Sequence, residues 1–497
     1  MSSRPNIVLI MTDQQRADVS AREGFPLDTT PFIDELASRG VWFSRAYTPV
    51  PICAAARISL LTGRYPSAHR VRENRGIQYA TYHQDLIDVL QANGYATALC
   101  GKNHSHLTPE RVDHWLHLHH GGGEGEERTP EEAAFDEWLR ALHHGVGQEP
   151  TPFPVECQGP YRAVSSAQSW IRSLGRDRPF FLWLSFAEPH NPYQVPEPYF
   201  SMFPPEDLPP TATDKSALEK KSFKWQWTRQ LGEYAYPNYD ELIPRARANY
   251  FGMLRLIDDQ VRRLVDFLRD EQILDNTLVI FMSDHGDFVG EYGLMRKGPE
   301  MPEVLMRVPL QIAGPGIAAA DQPRNDHVSL ADIMPTLCEA IGAEIPRGVQ
   351  GRSLWPMLTG EEYPHDEFVS VYAEQGFGGL HYTEDDPLSF EHCMMPGPVS
   401  PTFDELNTYS QSGTMRMLRK GDWKLVMDMQ GRGQLFNLAG DPYELNDLYD
   451  SAEHVEVRCA MLADLLAWTI RSQDPLPYPV GRYIYKRDQR NYYAPYA

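Results

Sequence analysis

With 497 residues, 42% of them hydrophobic, the chain can bury a large core, and its length fits two or three domains or one large α/β domain with a smaller partner. Lys and Arg total 46 against 68 Asp and Glu, a formal net charge of −22, which argues against nucleic acid as a partner because phosphates need a basic face. An anionic small substrate stays compatible with that balance, since a basic pocket can sit inside an acidic protein.

The first apolar run, residues 6–11, ends at Thr12-Asp13-Gln14-Gln15. It is too short for a secretory signal, and no stretch reaches the roughly 18 apolar residues of a membrane span, so a cytoplasmic protein without a membrane partner is expected. Residues 32–37 follow Thr29-Thr30-Pro31 and stop at Gly40, a helix pattern, and residues 85–93 stop at Gly94 in the same way. Apolar runs then recur at residues 96–100, 180–186 and 278–282. They end in Gly101-Lys102-Asn103-His104, Glu188-Pro189-His190-Asn191 and Ser283-Asp284-His285-Gly286-Asp287. Between the last two, residues 250–270 carry Leu254, Ile257, Val261, Leu264 and Leu268 on one helical face.

Short, continuously apolar runs fit parallel strands buried on both faces, and their alternation with helices predicts a large, mostly parallel α/β sheet. In such sheets ligands bind outside the carboxyl ends of the strands, so the four polar clusters predict one site. Past about residue 365 the texture changes. A stretch at 374–401 rich in Gly, Glu, Asp and Pro reads as a loop, and residues 414–419, 423–427 and 434–438 read as antiparallel strands. The predicted division is a catalytic α/β domain over 1–365 and a smaller α+β unit over 366–497. The Tyr- and Arg-rich tail, 478–497, reads as an arm that packs on a neighbour, giving a homo-oligomer, or on the main domain.

Asp13 and Asp284, each just after a strand and next to Gln14 and His285, offer carboxylate, amide and imidazole donors for a divalent cation. Either Asp alone reads better as a helix cap; both at strand ends favour the metal. Cys53 precedes a helical run that contains Arg57, where backbone N–H groups stabilise a thiolate or an anion. A small buried thiol accounts for the local pattern equally well. The six cysteines, none in C-x-x-C spacing, read as reduced and mostly buried. His114, His117, His119 and His120 before a glycine run read as a strand end entering an acidic loop rather than as a second metal site. Trp225, Trp227, Tyr234 and Tyr236 in the 195–245 insertion, and Gln375, His381 and His392 beyond it, are candidate pocket walls or plain packing.

Six blocks in order then resemble the sulfatase family. Cys53 to Arg57 with Thr62-Gly63 is similar to its C-x-P-x-R…T-G signature, and residues 6–13 to its first strand and metal aspartate. Gly101-Lys102-Asn103-His104, Pro189-His190-Asn191-Pro192, Ser283-Asp284-His285-Gly286 through Gly293-Leu294 and Lys297, and Asp441-Pro442-Tyr443-Glu444 resemble the remaining blocks.

The resemblance implies an alkaline-phosphatase-like fold and hydrolysis of a carbohydrate or aryl sulfate ester. It implies Cys53 oxidised to formylglycine by a maturation enzyme and acting as nucleophile, with one divalent metal, Ca²⁺ by the oxygen-rich shell, on Asp13, Gln14, Asp284 and His285. It further implies Arg57, Lys102 and Lys297 as neutralising cations, His190 as proton donor to the leaving alcohol, His104 acting on the hydrated aldehyde, and Asn74 in the pocket wall.

Two positions depart from the pattern. Ala55 stands where the family has Pro, in the segment that the maturation enzyme reads, which leaves an inactive homologue with unmodified Cys53 as one alternative. Gln14 stands where many members have a second Asp, which is reminiscent of phosphonate monoester and phosphodiester hydrolases on the same scaffold.

Overall fold

The computed structural model describes residues 4–124, 128–175, 178–395, 402–477 and 488–494. Its main sheet has eight strands: β1 (Asn6–Asp13), β2 (Gly40–Trp42), β3 (Ala96–Gly101), β4 (His114–His119), β5 (Gly122–Gly123), β6 (Phe180–Pro189), β7 (Thr277–Ser283) and β8 (Leu310–Ala313). They lie in the order β2-β8-β7-β1-β6-β3-β4-β5. The five strands β7, β1, β6, β3 and β4 run parallel; β8 and β5 are antiparallel to their neighbours.

The four apolar runs are the four adjacent central strands, and the pattern of burial explains their composition. Along β1, Ile7, Leu9 and Met11 join one core with Leu99, Trp183 and Ile280, while Val8 and Ile10 join the opposite core with Ala98, Leu182 and Phe281. A strand covered on both faces has no solvent side on which to place a polar residue. The helices α1 (Pro31–Ser38), α2 (Cys53–Thr62), α3 (Leu86–Ala92), α4 (Gly159–Ser173), α5 (Phe223–Ala235) and α6 (Tyr239–Asp270) surround the sheet or its loops. Helix α3 starts with Asp85 accepting from the Asp88 amide, the cap that its sequence suggests.

Two helices differ from the sequence reading. The α1 cap is not the side chain of Thr30 but Asp258 of α6, whose carboxylate accepts from Phe32 N at 3.0 Å and Ile33 N at 2.7 Å. Helix α6 begins at Tyr239, well before residue 250, because its first turns carry Asp240 and Glu241, which suit a helix N-terminus.

A second, four-stranded antiparallel sheet is formed by β9 (Ser370–Gln375), β10 (Met415–Lys420), β11 (Trp423–Asp428) and β12 (Gly433–Asn437), with α7 (Val455–Arg471) against it. Strand β9 was not expected. Its side chains alternate between two buried clusters, Val371 and Ala373 in one and Tyr372 in the other, so only half of it reads as apolar on either face. Lys424 of β11 is buried and lies 2.7 Å from Glu444, whose other oxygen accepts from the Glu303 amide. The Asp441-Pro442-Tyr443-Glu444 segment thereby ties the small sheet to the chain just beyond Lys297. Most of the aromatic tail, residues 478–487 and 495–497, lies outside the described residues; Asn491 and Tyr492 bond back to Val349, Gly351 and Ser353. Among the described residues, no helix is long and apolar enough to cross a membrane.

Candidate active site

The site forms where the central strands end level. Thr12 pairs with Ser283, Asp13 with Pro189 and Gly101 with Ser185, which brings Asp13, Asp284, His190 and Lys102 to one edge of the sheet. Gly101 is obligatory there: its φ is +115°, and a Cβ would stand 1.8 Å from the Ser185 carbonyl oxygen. The close approach lets Lys102 N donate to that oxygen at 2.7 Å and turns the lysine inward. Helix α2 begins at Cys53 after an extended Ile52 and ends on a left-handed Gly63 at φ 62°. Its first free amides face the site; Ala54 N donates to Asn74 Oδ1 at 3.2 Å.

Charges of both signs are packed without solvent between them. Cys53 is 1% exposed, with Sγ 3.1 Å from His285 Nε2 and 3.6 Å from Asp13 Oδ1. Arg57, one turn on, donates to Asp284 Oδ2 at 2.9 Å and Asp13 Oδ2 at 3.2 Å, and its other amine to Ser185 Oγ and the Lys102 carbonyl. The Lys102 ammonium also pairs with Asp13 Oδ2. With both Oδ2 atoms held, the Oδ1 atoms of Asp13 and Asp284 each lie 3.8 Å from His285 Nε2.

Donor atoms of Asp13, Cys53, Asp284 and His285 all fall within 4.8 Å of one another. His285 Nδ1 donates to the Gly286 carbonyl, which aims Nε2 into the cluster as a metal-ligating histidine requires. This donor set, carboxylates with one imidazole, fits a hard divalent cation. Gln14, at φ 73°, reaches it by its amide N–H to Asp284 Oδ1 and presents its side-chain oxygen to Lys297.

Lys297 Nζ is 3.0 Å from Gln14 Oε1, 3.0 Å from His190 Nε2 and 3.2 Å from Glu405 Oε1. An ammonium has only hydrogens to give, so His190 Nε2 accepts and its Nδ1 donates to the Asn191 carbonyl. Burial and Lys297 both hold the His190 imidazole well below its ordinary value, so the proton of this pair rests on the lysine.

Burial and the Asp13 carboxylate would raise the Cys53 thiol, but the ammonium groups of Lys102 and Lys297 and the His285 imidazole bring it down to about 5. Burial and Lys297 would lower the His285 imidazole, but the Asp284 carboxylate and then the Cys53 sulfur raise it to about 9. In protein whose Cys53 is left as cysteine, the thiol is therefore protonated below about pH 5 and thiolate above it. The ultraviolet absorbance of the thiolate, taken as the difference from C53A, is expected to rise around pH 5 and stay flat through about pH 8.5, where a free thiol is only half ionised.

The structure brings together Asp13, Gln14, Cys53, Arg57, Lys102, His190, Asp284, His285 and Lys297, with Asn74 beside them. His104 is half-buried at φ 44°, and its Nδ1 is buried without a hydrogen-bond partner among the described residues. The imidazole that touches Lys102 is His120, Nε2 to Nζ 2.7 Å, and its ring stacks on His190 at 3.6 Å.

A signal for His120 existed, because it directly follows β4, which runs parallel to β3; the rule of carboxyl ends applies to this strand too. Glu405 had no local signal. Trp225 and Trp227 are packing: Trp225 lies against Phe288 and Tyr292, and Trp227 stacks on Phe390. Gln375 donates to Gln411, and His381 lies beside Asp428, 3.5 Å away. Of the stretch 374–401, residues 396–401 lie outside the described residues; just after it, Glu405 reaches the site, 3.2 Å from Lys297.

A family model described as Sulfatase matches residues 5–343. The chain belongs to the sulfatase family. As a sulfatase it is a sulfuric ester hydrolase by family, with a fold shared across the superfamily. An arylsulfatase of Clostridium perfringens (strain 13 / Type A) is 30% identical over 482 residues, covering 91% of this chain and 92% of its own. A choline-sulfatase of Rhizobium meliloti (strain 1021) is 29% identical over 468 residues, covering 90% and 83%. The crystal structure of a phosphonate monoester hydrolase of Agrobacterium radiobacter superposes with a TM-score of 0.78 at 24% identity, covering 95% of this sulfatase and 97% of its own chain.

Proposed function

We propose that this sulfatase cleaves sulfate esters of small alcohols, saccharides or phenols, with Cys53, converted to formylglycine by a maturation enzyme, as the nucleophilic residue. The observation that carries the reading is the convergence on one buried cysteine at a helix start of two strand-end carboxylates, an imidazole and three cations. The hydrated aldehyde supplies an oxygen nucleophile, harder than a thiolate and suited to sulfur(VI). Asp13, Gln14, Asp284 and His285 are the residues that would hold a divalent cation, proposed as Ca²⁺, which supplies Lewis-acid polarisation of a sulfate oxygen.

The chain's own groups do the rest. Arg57 fixes the two aspartates, and Lys102 and Lys297 oppose negative charge on the sulfuryl oxygens from either side. The departing alcohol oxygen takes its proton from the Lys297–His190 pair, in which the proton rests on Lys297 Nζ and His190 Nε2 accepts its hydrogen bond. The aldehyde-directed role that the family gives to the histidine after Lys102 falls to His104 by sequence, while His120 is the imidazole in contact with that lysine.

Gln14 favours a second reading, phosphonate monoester hydrolysis, because a glutamine at this position resembles that branch of the superfamily. Both are tested with converted enzyme on 4-nitrophenyl sulfate and 4-nitrophenyl phenylphosphonate. The sulfate reading expects kcat/KM to favour the sulfate by about tenfold or more, and activity lost to a chelator to return with Ca²⁺. A preference of that size for the phosphonate would overturn it.

A further inference from the structure

The family resemblance accounts for every cation around Cys53 but not for the anion among them. Glu405, 6% exposed, places Oε1 3.2 Å from Lys297 Nζ and 3.9 Å from His190 Nε2, and Oε2 3.9 Å from Arg296. It sits on a pinned loop rather than a loose one. Ser410 Oγ donates to the Glu405 carbonyl at 2.7 Å, Asn407 Oδ1 accepts from the Tyr409 and Ser410 amides, and Gln411 donates to the carbonyl of Gly298, beside Lys297.

Burial opposes the Glu405 charge, yet Lys297 and Arg296 hold its carboxyl below the ordinary range, so it stays ionised. Two of the three groups it lies beside, Lys297 and His190, are the pair proposed to deliver the proton to the departing alcohol. Its place beside His190 as well as Lys297 sets the carboxylate at the end of the site where the alcohol portion of the ester leaves.

We propose that Glu405 selects the leaving alcohol by charge: it admits neutral alcohols, favours those that carry an ammonium group, and rejects those that carry a carboxylate or a second sulfate near the ester oxygen. The proposal rests on the reading of the site as a sulfatase site. The physical basis is that a fixed negative charge in a water-poor pocket attracts a cation and repels an anion far more strongly than it would in solvent. Against Lys297 and Arg296 the carboxylate lowers the local charge by one unit, and Glu405→Gln removes that unit alone.

The test uses converted full-length enzyme, wild type and Glu405→Gln, on three phenyl sulfates: unsubstituted, 3-aminomethyl and 3-carboxylate. For wild type, kcat/KM is expected to fall in the order aminomethyl, unsubstituted, carboxylate, with about tenfold or more between the extremes. Glu405→Gln is expected to compress that range to within about twofold. Each comparison is a ratio within one protein, so a variant that folds less completely leaves it intact. Equal or better use of the carboxylate ester by wild type overturns the proposal, with no variant needed. An unchanged range in Glu405→Gln also overturns it, while turnover of the unsubstituted ester keeps the sulfatase reading standing. Wild type that hydrolyses none of the three defeats the sulfatase reading itself.

Discussion

Replacing Cys53 by alanine is expected to lower kcat/KM on 4-nitrophenyl sulfate by about 10⁴-fold or more, the scale on which removal of a covalent nucleophile acts. The loss should fall on kcat, because the cations that bind the sulfuryl group remain in place: Lys102 on Asp13, and Lys297 on Gln14 and His190. Stability should barely change. The residue opens a helix that continues Ala54-Ala55-Ala56, so alanine suits the position, and only one sulfur atom is removed. Circular dichroism and a denaturant midpoint beside the kinetics separate this outcome from unfolding.

Arg57→Ala carries the second large effect, and it strikes stability and activity together. The guanidinium is fully buried and is the group that joins Asp13 to Asp284. Without it, two buried carboxylates stay behind with Lys102 as their nearest cation, together with an unpartnered Ser185 hydroxyl. Breaking a buried pair in this way costs about 3–5 kcal/mol. Activity should drop by about 10³-fold, as for loss of a preorganised charge at a transition state. Lysine at this position should recover little, because a point charge cannot fork to both aspartates and still reach Ser185. A divalent cation is expected to raise the denaturation midpoint of R57A more than that of wild type while leaving its activity low, since it can neutralise the carboxylates but not replace the fork. Equal midpoint shifts in the two proteins would contradict this account of Arg57.

Much of the architecture is legible in the chain because a strand buried on both faces must be apolar throughout. Residues 6–11, 96–100, 180–186 and 278–282 could hardly be anything else, and the polar residues that follow each of them land at one sheet edge. Asp13, Lys102, His190 and Asp284 follow from that rule. Arg57 follows from the helix repeat: four residues after Cys53, it lies on the same face.

What escaped the sequence is whatever long-range packing decides. Asp258 caps a helix more than 200 positions away, so no local pattern at Thr30 could reveal it. His104 carries the right spacing after Lys102, while the imidazole in contact with that lysine is His120, from the end of the neighbouring strand. The histidine run 114–120 reads as a strand end, and it is one; what its local pattern does not show is the pairing with β3 that sets His120 at the site edge. Glu405 reaches Lys297 only because the small sheet is fastened through Lys424 and Glu444 to the chain beyond that lysine.

The account's central claim is that Cys53 becomes an oxygen nucleophile despite Ala55 in place of the family's proline. Ala55 is fully buried and packs with Val50, Ile52 and Ala56, so the altered residue lies inside the folded site and maturation must read it before the chain closes. The direct measurement is peptide mass spectrometry across Cys53 on protein co-expressed with a formylglycine-generating enzyme. A loss of about 18 Da at that residue, the exchange of a thiol for an aldehyde, is the predicted result. An unaltered thiol with every maturation enzyme tried, in protein that still hydrolyses sulfate esters or in protein that hydrolyses none, would contradict it.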